Sequence, residues 1–404
     1  MIRKALEGLV VLDLTRVYAG PYCSLVLADM GADVIKIERP GVGDDVRHIP
    51  PWFEGKPGLE NSAYFFFVNR NKKGITLDIQ HRKGQEILQA MVKQADVLLE
   101  NYSPRVMRGL GLGYDVLSHI NPRLIYCSIC GYGHTGPYSN RPAYDIIAQS
   151  TGGIASLTGH PDGPPTRVGT SLGDVNAGIH AAFGIMCAAF AREKTGEGQW
   201  VDISQQDCIF AVLEAAVVTY TLTGHMPGRM GSRHPNVSPY DIFPCKNGYV
   251  CYAGYKQEHW SRTCAYFVHP ELPHDPRIDT VSKRVDSENY ATLIRPIIEG
   301  WFATYTREEL ARIGEELQVP LAPVLDVADC VNDPQLNARE MIVEVDHPVM
   351  GRVKLSGNPV KLSTTPGGIE RAAPLLGQHN QEVYQRFLGY TPGDLQQLQV
   401  EGVI

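Results

Sequence analysis

The sequence predicts an α/β protein with a doubly wound, Rossmann-like large domain and a smaller α+β second domain. Its 404 residues are more than one simple core usually holds. Short apolar runs alternate with helical patterns over the first 200 residues, which is typical of parallel α/β sheets. At Gly224 the sequence becomes turn-rich, which indicates a linker. We therefore expect a large domain over 1–223, a linker and small domain over 224–330, and a return segment over 331–404 that completes the large domain.

The first predicted unit is β-α-β. Residues 10–14 form a short apolar run bounded by turn signals and so predict a buried strand. A loop follows over 15–21, then a helical pattern over 22–30 and a second strand over 33–38. This is the usual size of a parallel crossover unit.

The same alternation continues along the chain. The predicted elements are strands at 74–79, 97–100, 124–129 and 200–203, and helices at 83–94, 110–120, 177–190 and 208–222. In the rest of the chain we expect helices near 290–302 and 307–317, loop-rich sequence over 328–341, a hairpin of 342–345 with 351–355, and a helix with a short tail within 378–402.

Composition excludes several classes of protein. Hydrophobic residues make up 43% and charged residues 20%, and the net charge is −7 without long single-sign runs. These values do not favour nucleic acid or an anionic membrane as a partner. The first residues lack a signal-peptide pattern, and the nine cysteines show no disulfide-framework spacing, so we expect a soluble, cytoplasmic protein.

Several common site motifs are missing. The first βα loop, TRVYAGP, has no GxGxxG, which disfavours a nicotinamide dehydrogenase. HExxH, a paired CxxC and a DxDxDG loop are absent. Cys127 and Cys130 form a CxxC within a β-rich run, and we interpret both as strand residues. We therefore expect no metal site.

Asp174 is the leading candidate for chemistry. It follows Gly173 and precedes an Ala/Gly-rich apolar run over 177–190. A carboxylate at the start of a buried helix lies in the positive field of the helix N-terminus, which favours its ionised form. Local sequence alone favours a helix N-cap over a nucleophile.

Basic residues fall in or beside loops of the predicted sheet, where ligands of open α/β sheets bind. Such side chains can hold phosphates, although each one alone is more often a solvated surface charge. These residues are Arg39, Arg70, Lys72, Lys73, Arg105 and Arg108. The residues themselves indicate an α/β enzyme that binds an anionic ligand, with the reaction left open.

Ordered segments through nearly the whole chain resemble the class III CoA-transferase family, which includes formyl-CoA transferase and carnitine CoA-transferase. The resembling segments are LEGLVVLDLTRVYAGPYCSLVLADMGADVIKIERPGVGD, NRNKKGITLDI, ADVLLENYSPRVMRGLGLGYD, LIYCSICGYGHTGPYSNRPAYDIIAQSTGG, GPPTRVGTSLGDVNAG, REKTGEGQWVDIS and APLLGQHNQEV.

The resemblance implies that Asp174 is the nucleophile, passing through an acyl-aspartyl anhydride and an aspartyl-CoA thioester. It implies coenzyme A as an acyl-CoA substrate, no metal, and an interlocked homodimer. The acceptor would be a small carboxylic acid, a dicarboxylate or hydroxy acid, with succinyl-CoA or acetyl-CoA as donor. Tyr144 and Gly173 match substrate-pocket positions. Positions matching CoA contacts are Val17, Tyr18, Arg39, Lys72, Lys73, Asn101, Arg108 and Tyr132.

Two departures count against formyl-CoA and oxalate as substrates. Cys130 stands where formyl-CoA transferase has lysine, and the region 243–256 lacks that enzyme's run of four glycines. The same superfamily contains 2-methylacyl-CoA racemases, in which a His-Asp pair occupies the place of Tyr144-Asp145. Tyrosine, with an ordinary pKa of about 10, is a poor proton shuttle near neutral pH, which favours a transferase. A non-catalytic acyl-CoA-binding protein is the third alternative, and the intact Gly173-Asp174 pair argues against it.

Overall fold

The α/β architecture rests on eleven strands. The structure, a computed structural model, describes residues 4–404. The strands in chain order are β1 Val10–Asp13, β2 Asp33–Glu38, β3 Lys73–Thr76, β4 Val97–Glu100, β5 Ile125–Cys130, β6 Trp200–Ser204, β7 Asp241–Cys245, β8 Gly248–Tyr252, β9 Leu321–Pro323, β10 Ile342–His347 and β11 Gly351–Ser356.

Nineteen α-helices accompany these strands within residues 4–404. They are α1 Ala19–Asp29, α2 Ala63–Asn69, α3 Arg82–Val92, α4 Val106–Gly109, α5 Tyr114–Ile120, α6 Asp145–Thr151, α7 Ile154–Leu157, α8 Leu172–Thr195, α9 Gln205–Phe210, α10 Ala216–Thr223, α11 Gln257–Tyr266, α12 Val281–Val285, α13 Ser287–Asn289, α14 Arg295–Phe302, α15 Arg307–Leu317, α16 Val327–Asn332, α17 Pro334–Ala338, α18 Asn380–Leu388 and α19 Pro392–Val400.

The chain forms two compact units. Among the described residues, the first contains 4–154, 167–221 and 334–404, and the second contains 155–166 and 222–333. The boundaries expected from the sequence, after residues 223 and 330, stay a prediction.

The first unit is built on a six-stranded parallel sheet with the order β3-β2-β1-β4-β5-β6. The order reverses between β1 and β4. Ligands of open α/β sheets bind at this switch point, outside the carboxyl ends of the strands. The predicted α/β class and parallel sheet are confirmed.

Each face of the sheet is covered by its own apolar cluster. Leu12 and Ile35 pack on one side with residues of α3, α5, α18 and α19. Val11, Val34 and Val97 pack on the other side with α1 and α8. Because both faces are buried, the strands are nearly continuous apolar runs, which is why the short runs in the sequence predicted them.

Helix α8 is longer than predicted, since it begins at Leu172 rather than near Ala177. Asp174 therefore lies inside its first turn. The helix packs closely on α1. Glycine at position 178 permits this approach, since a Cβ there would lie only 2.8 Å from the carbonyl oxygen of Ala19. α8 is the one helix among residues 4–404 that is long and apolar enough to cross a membrane by length and composition, a test that core helices also pass.

The second unit has its own core. Strands β7, β8 and β9 form an antiparallel sheet that packs through Phe243 and Tyr252 on Trp260 of α11 and Phe302 of α14. The segment 155–166 belongs to this unit, and the guanidinium of Arg229 donates hydrogen bonds to its carbonyl oxygens.

Further sequence-based element predictions differ from the structure, among them the single helix expected within 378–402, which is the two helices α18 and α19. The region 328–341 is not loop-rich: it contains most of α16 and all of α17, and Asp326 and Asp329 form a capping box that starts α16. The helix predicted over 208–222 is interrupted between α9 and α10, where Glu214 has a positive φ of 50°. The region 110–120 contains only the later helix α5, which begins after Gly113. The predicted hairpin, β10 with β11, is confirmed.

Candidate active site

A cleft opens at the carboxyl ends of the central strands, where the sheet order reverses. Its lining comes from the loops after β1, β4 and β5, and from residues 139–144. Asp174 and Gln205 complete the lining, and the volume of the cleft is about 910 Å³ including its open mouth. We call it the Asp174 cleft.

Asp174 is the buried carboxylate of this cleft, with only 9% of the residue exposed. Its Oδ1 accepts a 2.5 Å hydrogen bond from the side-chain amide of Gln205, the first residue of α9. This contact fixes the carboxylate. A carboxylate fixed and partly shielded from water is a suitable nucleophile, because little reorganisation is needed before attack.

Asp145 lies beside Asp174 at the start of α6. Its Oδ1 accepts hydrogen bonds from the backbone N–H of Gly173 at 2.7 Å and of Asp174 at 3.4 Å. Its Oδ2 accepts from the side-chain amide of Gln149. Asp145 therefore caps α8 by accepting hydrogen bonds from its first N–H groups. The local sequence had favoured this N-cap role for Asp174.

Burial outweighs the helix N-terminus, which we expected to favour the ionised form of Asp174. Burial and the neighbouring charge of Asp145 raise the pKa of Asp174 to about 7, and the hydrogen bond from Gln205 offsets this only in part. The first N–H groups of α8 donate to Asp145 rather than to the Asp174 carboxylate. Burial removes water from the Asp174 carboxylate, which disfavours its charged form and raises its pKa.

The loop after β1 carries Val17 and Tyr18 into the cleft lining. Val17 has a positive φ of 68°, and its N–H donates to Asp44 Oδ1 at 2.9 Å. Asn101 binds the backbone N–H and carbonyl of Arg16 through its side-chain amide. Tyr18 stacks on Tyr22 and Phe67, and burial raises the pKa of its hydroxyl.

The two predicted arginines lie in neighbouring clefts. Arg39 is exposed and lines a cleft of about 790 Å³ at the ends of β1, β2 and β3, together with Val42 and Gln80. Arg108 is exposed in a smaller cleft beside β4 and β5, near Tyr114 and Trp200. Both guanidinium groups are accessible to an anionic ligand.

Lys72 lies away from these clefts, inside the first unit. Its ammonium is buried and contacts Asp13 Oδ2 at 3.1 Å, Asn69 Oδ1 at 2.8 Å and the Pro21 carbonyl. Burial raises the pKa of Asp13, but Lys72 and Lys36 outweigh that and lower it to about 2. The predicted contact of Lys72 with CoA is corrected here to a structural ion pair, because the ammonium already donates to three buried oxygen atoms.

Lys73 is also misplaced for the predicted role. It is the first residue of β3, and therefore lies at the amino end of a strand whose carboxyl end borders the clefts. Its ammonium pairs with Asp33 at 3.3 Å and with Glu382 at 2.8 Å. The predicted contact of Lys73 with CoA is corrected to an ion pair at the amino ends of the strands.

The remaining predicted residues are Tyr144, Tyr132 and Gly173. Tyr144 lines the cleft with 73% of the residue exposed. Tyr132 packs edge to face on Tyr138 and is outside the cleft lining, whereas its neighbour Gly131 is part of it. Gly173 is buried beneath Asp174, with its N–H on Asp145.

Sequence reasoning did not single out Gln205, whose contact with Asp174 spans 31 residues of chain.

Sequence reasoning also missed a group formed by Cys130, His134 and Asp202, whose ligand atoms all lie within 4.8 Å of one another. Burial lowers the pKa of His134, but hydrogen bonds to Asp202 and Cys130 outweigh that and raise it to about 10. No spacing motif marks this group, because Asp202 comes from a different strand.

Comparison with models of protein families shows the family to which the chain belongs. The model described as CoA-transferase family III matches residues 6–380. The chain belongs to CoA-transferase family III. It is accordingly a CoA-transferase, an enzyme whose substrates are CoA thioesters, and the family that the sequence segments indicated is confirmed.

Relatives of this family III chain match along almost its whole length. A succinyl-CoA:mesaconate CoA-transferase from Haloarcula hispanica is 40% identical over 94% of this chain and 95% of its own. A succinyl-CoA–D-citramalate CoA-transferase from Chloroflexus aurantiacus is 37% identical over 99% and 98%. A crystal structure of a CAIB/BAIF family protein from Brucella suis is 36% identical, with a TM-score of 0.84 over 95% of this chain and 100% of that one.

Proposed function

We propose that this CoA-transferase moves CoA from succinyl-CoA to a small dicarboxylic acid through covalent intermediates on Asp174. The observation that carries the proposal is the buried carboxylate of Asp174, fixed by Gln205, in a cleft at the carboxyl ends of the central strands. The relatives named for succinyl-CoA and for the acids mesaconate and D-citramalate support this choice of substrates.

The proposed chemistry begins with Asp174 as nucleophile. A carboxylate oxygen attacks the thioester carbonyl, the carbon–sulfur bond breaks, and CoA leaves as the thiolate while an acyl-aspartyl anhydride forms. The thiolate then attacks the γ-carbon of Asp174, releasing the donor acid and leaving an aspartyl-CoA thioester. The acceptor carboxylate repeats both steps in reverse order, so it leaves as its CoA thioester and Asp174 is regenerated.

Nearby groups support the charge changes in these steps. The Gln205 amide donates to Asp174 Oδ1 and lies where negative charge moves during attack. Arg16 and Arg141 belong to the lining of the same cleft. Their guanidinium groups suit the second carboxylate of a dicarboxylic acid, since guanidinium binds carboxylate through paired hydrogen bonds.

For the CoA moiety we propose contacts with the loop of Val17 and Tyr18, with Asn101, and with the two arginines of the neighbouring clefts, Arg39 and Arg108. Their accessibility at the carboxyl ends of the strands supports this choice. Tyr132 is kept among the proposed CoA contacts, and Tyr144 and Gly173 are kept as residues around the acyl group. Lys72 and Lys73 are left out, because their ammonium groups are engaged elsewhere.

We also propose that the chain acts as an interlocked homodimer in the cytoplasm. The support for a dimer is an exposed apolar stripe on α8: Ile179, Phe183 and Phe190 are 47%, 68% and 67% exposed. Their spacing puts them on one side of the helix. Apolar side chains in a row of this kind usually meet another protein surface.

The test is intact-protein mass spectrometry after incubation with succinyl-CoA, acetyl-CoA or a branched acyl-CoA. We expect a CoA-sized, hydroxylamine-labile adduct on the native chain and none on Asp174→Asn. The control is Asp207→Asn, which changes an exposed carboxylate of α9 outside the cleft lining and is expected to retain the adduct.

An acceptor panel completes this test. Transfer to dicarboxylates in preference to monocarboxylates supports the proposed substrate class, and the reverse preference contradicts it. An adduct that persists on Asp174→Asn overturns the nucleophile. Hydrogen exchange at the α-carbon of a branched acyl-CoA without any adduct would indicate a racemase, and binding with neither reaction would indicate a non-catalytic acyl-CoA-binding protein.

A further inference from the structure

Cys130, His134 and Asp202 form a compact group beside the Asp174 cleft. Cys130 ends β5, His134 follows it in the next loop, and Asp202 lies in β6, the strand paired with β5. His134 Nδ1 is 2.9 Å from Asp202 Oδ1 and 3.8 Å from Cys130 Sγ. The proposed transfer chemistry uses none of these three side chains.

We propose that these three residues bind a thiophilic divalent cation, with Zn²⁺ as the best match. A thiolate, an imidazole and a carboxylate are all zinc ligands, and three protein ligands leave one position open for water or another group. The thiolate favours zinc over magnesium or calcium, which prefer oxygen ligands. One thiolate and one carboxylate also balance the double positive charge of the ion.

The distances suit such an ion with small side-chain shifts. Zinc–ligand bonds of about 2.0–2.3 Å in a tetrahedron require separations of roughly 3.3–3.8 Å between ligand atoms. The separation of 3.8 Å lies within that range and the one of 2.9 Å lies about 0.4 Å below it. The third pair, Cys130 Sγ and the Asp202 carboxylate, lies within 4.8 Å and would have to close by up to about 1 Å. The cation would replace the proton that His134 shares with Asp202.

Neighbouring groups hold the three ligands in orientation. Asp202 Oδ2 accepts the backbone N–H of His134 at 2.9 Å, which docks the loop on β6. On the other side of the ring, His134 Nε2 faces the buried Glu100 at 3.9 Å. A carboxylate behind a metal-binding histidine is a common arrangement that fixes its ring and tautomer.

The location of Cys130 gives the site a consequence for activity. Cys130 belongs to the lining of the Asp174 cleft. A cation held by its sulfur would occupy the wall of the space that acyl-CoA has to enter. We therefore expect the bound ion to inhibit transfer, an expectation that rests on the proposed function.

The direct test is titration of the chelator-treated full-length chain with Co²⁺ and Zn²⁺, without acyl-CoA. We expect one equivalent of Co²⁺ to produce thiolate-to-cobalt charge-transfer absorption that Zn²⁺ abolishes. Cys130→Ser is expected to lose that absorption, and both Cys130→Ser and His134→Gln to weaken Zn²⁺ binding at least tenfold. Cys187→Ser, which changes an exposed cysteine of α8, should bind as the native chain does. Circular dichroism checks that each variant is folded.

The outcomes separate the site from the transfer mechanism. No binding to the native chain, or equal binding by Cys130→Ser and His134→Gln, overturns the site and leaves the His134–Asp202 contact as a simple ion pair. These measurements involve no turnover, so they do not depend on Asp174. Chelator-reversible inhibition of transfer by Zn²⁺ in the native chain and Cys187→Ser, but not in Cys130→Ser, supports the inhibitory role; full activity with Zn²⁺ bound contradicts it.

Discussion

The side-chain amide of Gln205 donates a 2.5 Å hydrogen bond to Oδ1 of Asp174. Both residues are at least nine-tenths buried, and each stands in the first turn of its helix, Gln205 in α9 and Asp174 in α8. The contact stabilises the carboxylate against burial and against the charge of Asp145, which both raise its pKa. The protonation of Asp174 near neutral pH therefore depends on a balance among these three effects.

Replacing Gln205 with leucine should reduce activity at neutral pH. Leucine keeps a similar side-chain volume but removes the donor that lowers the pKa of Asp174, so a larger fraction of the carboxyl group is protonated. We expect transfer to fall by roughly ten- to a hundredfold at pH 7, with partial recovery toward pH 9. Gln206→Leu changes the neighbouring residue, which contacts the Thr151 carbonyl, and is the control. An unchanged pH profile for Gln205→Leu would contradict this role.

Removing the charge of Asp145 should have the opposite effect on the pKa. The side-chain oxygen of Asp145→Asn can still accept the Gly173 N–H, but the carboxylate charge that raises the pKa of Asp174 is gone. The rate of adduct formation in the native chain should rise with pH through about 7 as Asp174 ionises. In Asp145→Asn this rise should occur at lower pH. Glu193→Gln, in the last turn of α8, should leave the midpoint unchanged, and a midpoint that moves upward in Asp145→Asn would refute the interpretation.

Asp174 should also make stability depend on pH. Its folded-state pKa of about 7 lies above the ordinary value of 3.8. Between about pH 4 and pH 7 the folded chain therefore holds a proton on Asp174 that the unfolded chain has released. The resulting stability is fully present below about pH 4 and is lost as pH rises through 7, with a ceiling of about 4 kcal/mol. Asp174→Asn should therefore be more stable than the native chain at pH 8 and equal to it near pH 4. Urea unfolding at the two pH values measures this, and a variant that is less stable at pH 8 would contradict it.

The sheet and its connections could be predicted because fully buried parallel strands are apolar throughout. Runs such as that of β1 need no partner to be visible in the sequence. The family resemblance singled out Asp174, and the site confirms only that its carboxylate is buried in a cleft. Its ionisation could not be predicted, because Asp145 and Gln205 approach it from other helices.

The lysines show that a basic residue beside a strand can lie at the end away from the ligand. The expected strand began at Gly74 and β3 begins at Lys73, so with either boundary both lysines lie at the amino end of a parallel strand, remote from the ligand edge. Lys72 precedes the strand and reaches Asp13 in the interior, 59 residues away in sequence. A pattern of basic residues near strands cannot distinguish a buried ion pair from a phosphate ligand.

The exposed stripe on α8 predicts how the proposed dimer can be disrupted. Phe183→Glu places a charge in the middle of the stripe, where burial of an unpaired carboxylate in an interface is costly. We expect the native chain to elute as a dimer and Phe183→Glu to shift toward the monomer, as measured by size-exclusion chromatography with light scattering. Glu197→Lys, an exposed change just after α8, is the control. A native chain that is monomeric at micromolar concentration would contradict the dimer.

Lys72 provides a test of whether its ammonium stabilises the fold or binds CoA. Lys72→Met removes the charge that faces Asp13 but keeps most of the side-chain volume, so a buried carboxylate loses one of its partners. We expect the free energy of unfolding to fall by about 3 kcal/mol. Lys73→Met, at the same strand, removes a more accessible pair and should cost about 1 kcal/mol or less. Because neither ammonium faces a cleft at the carboxyl ends of the strands, the KM for acyl-CoA should stay within about twofold of the native value in both variants. A KM that rises tenfold in Lys72→Met without a loss of stability would return this lysine to the CoA site.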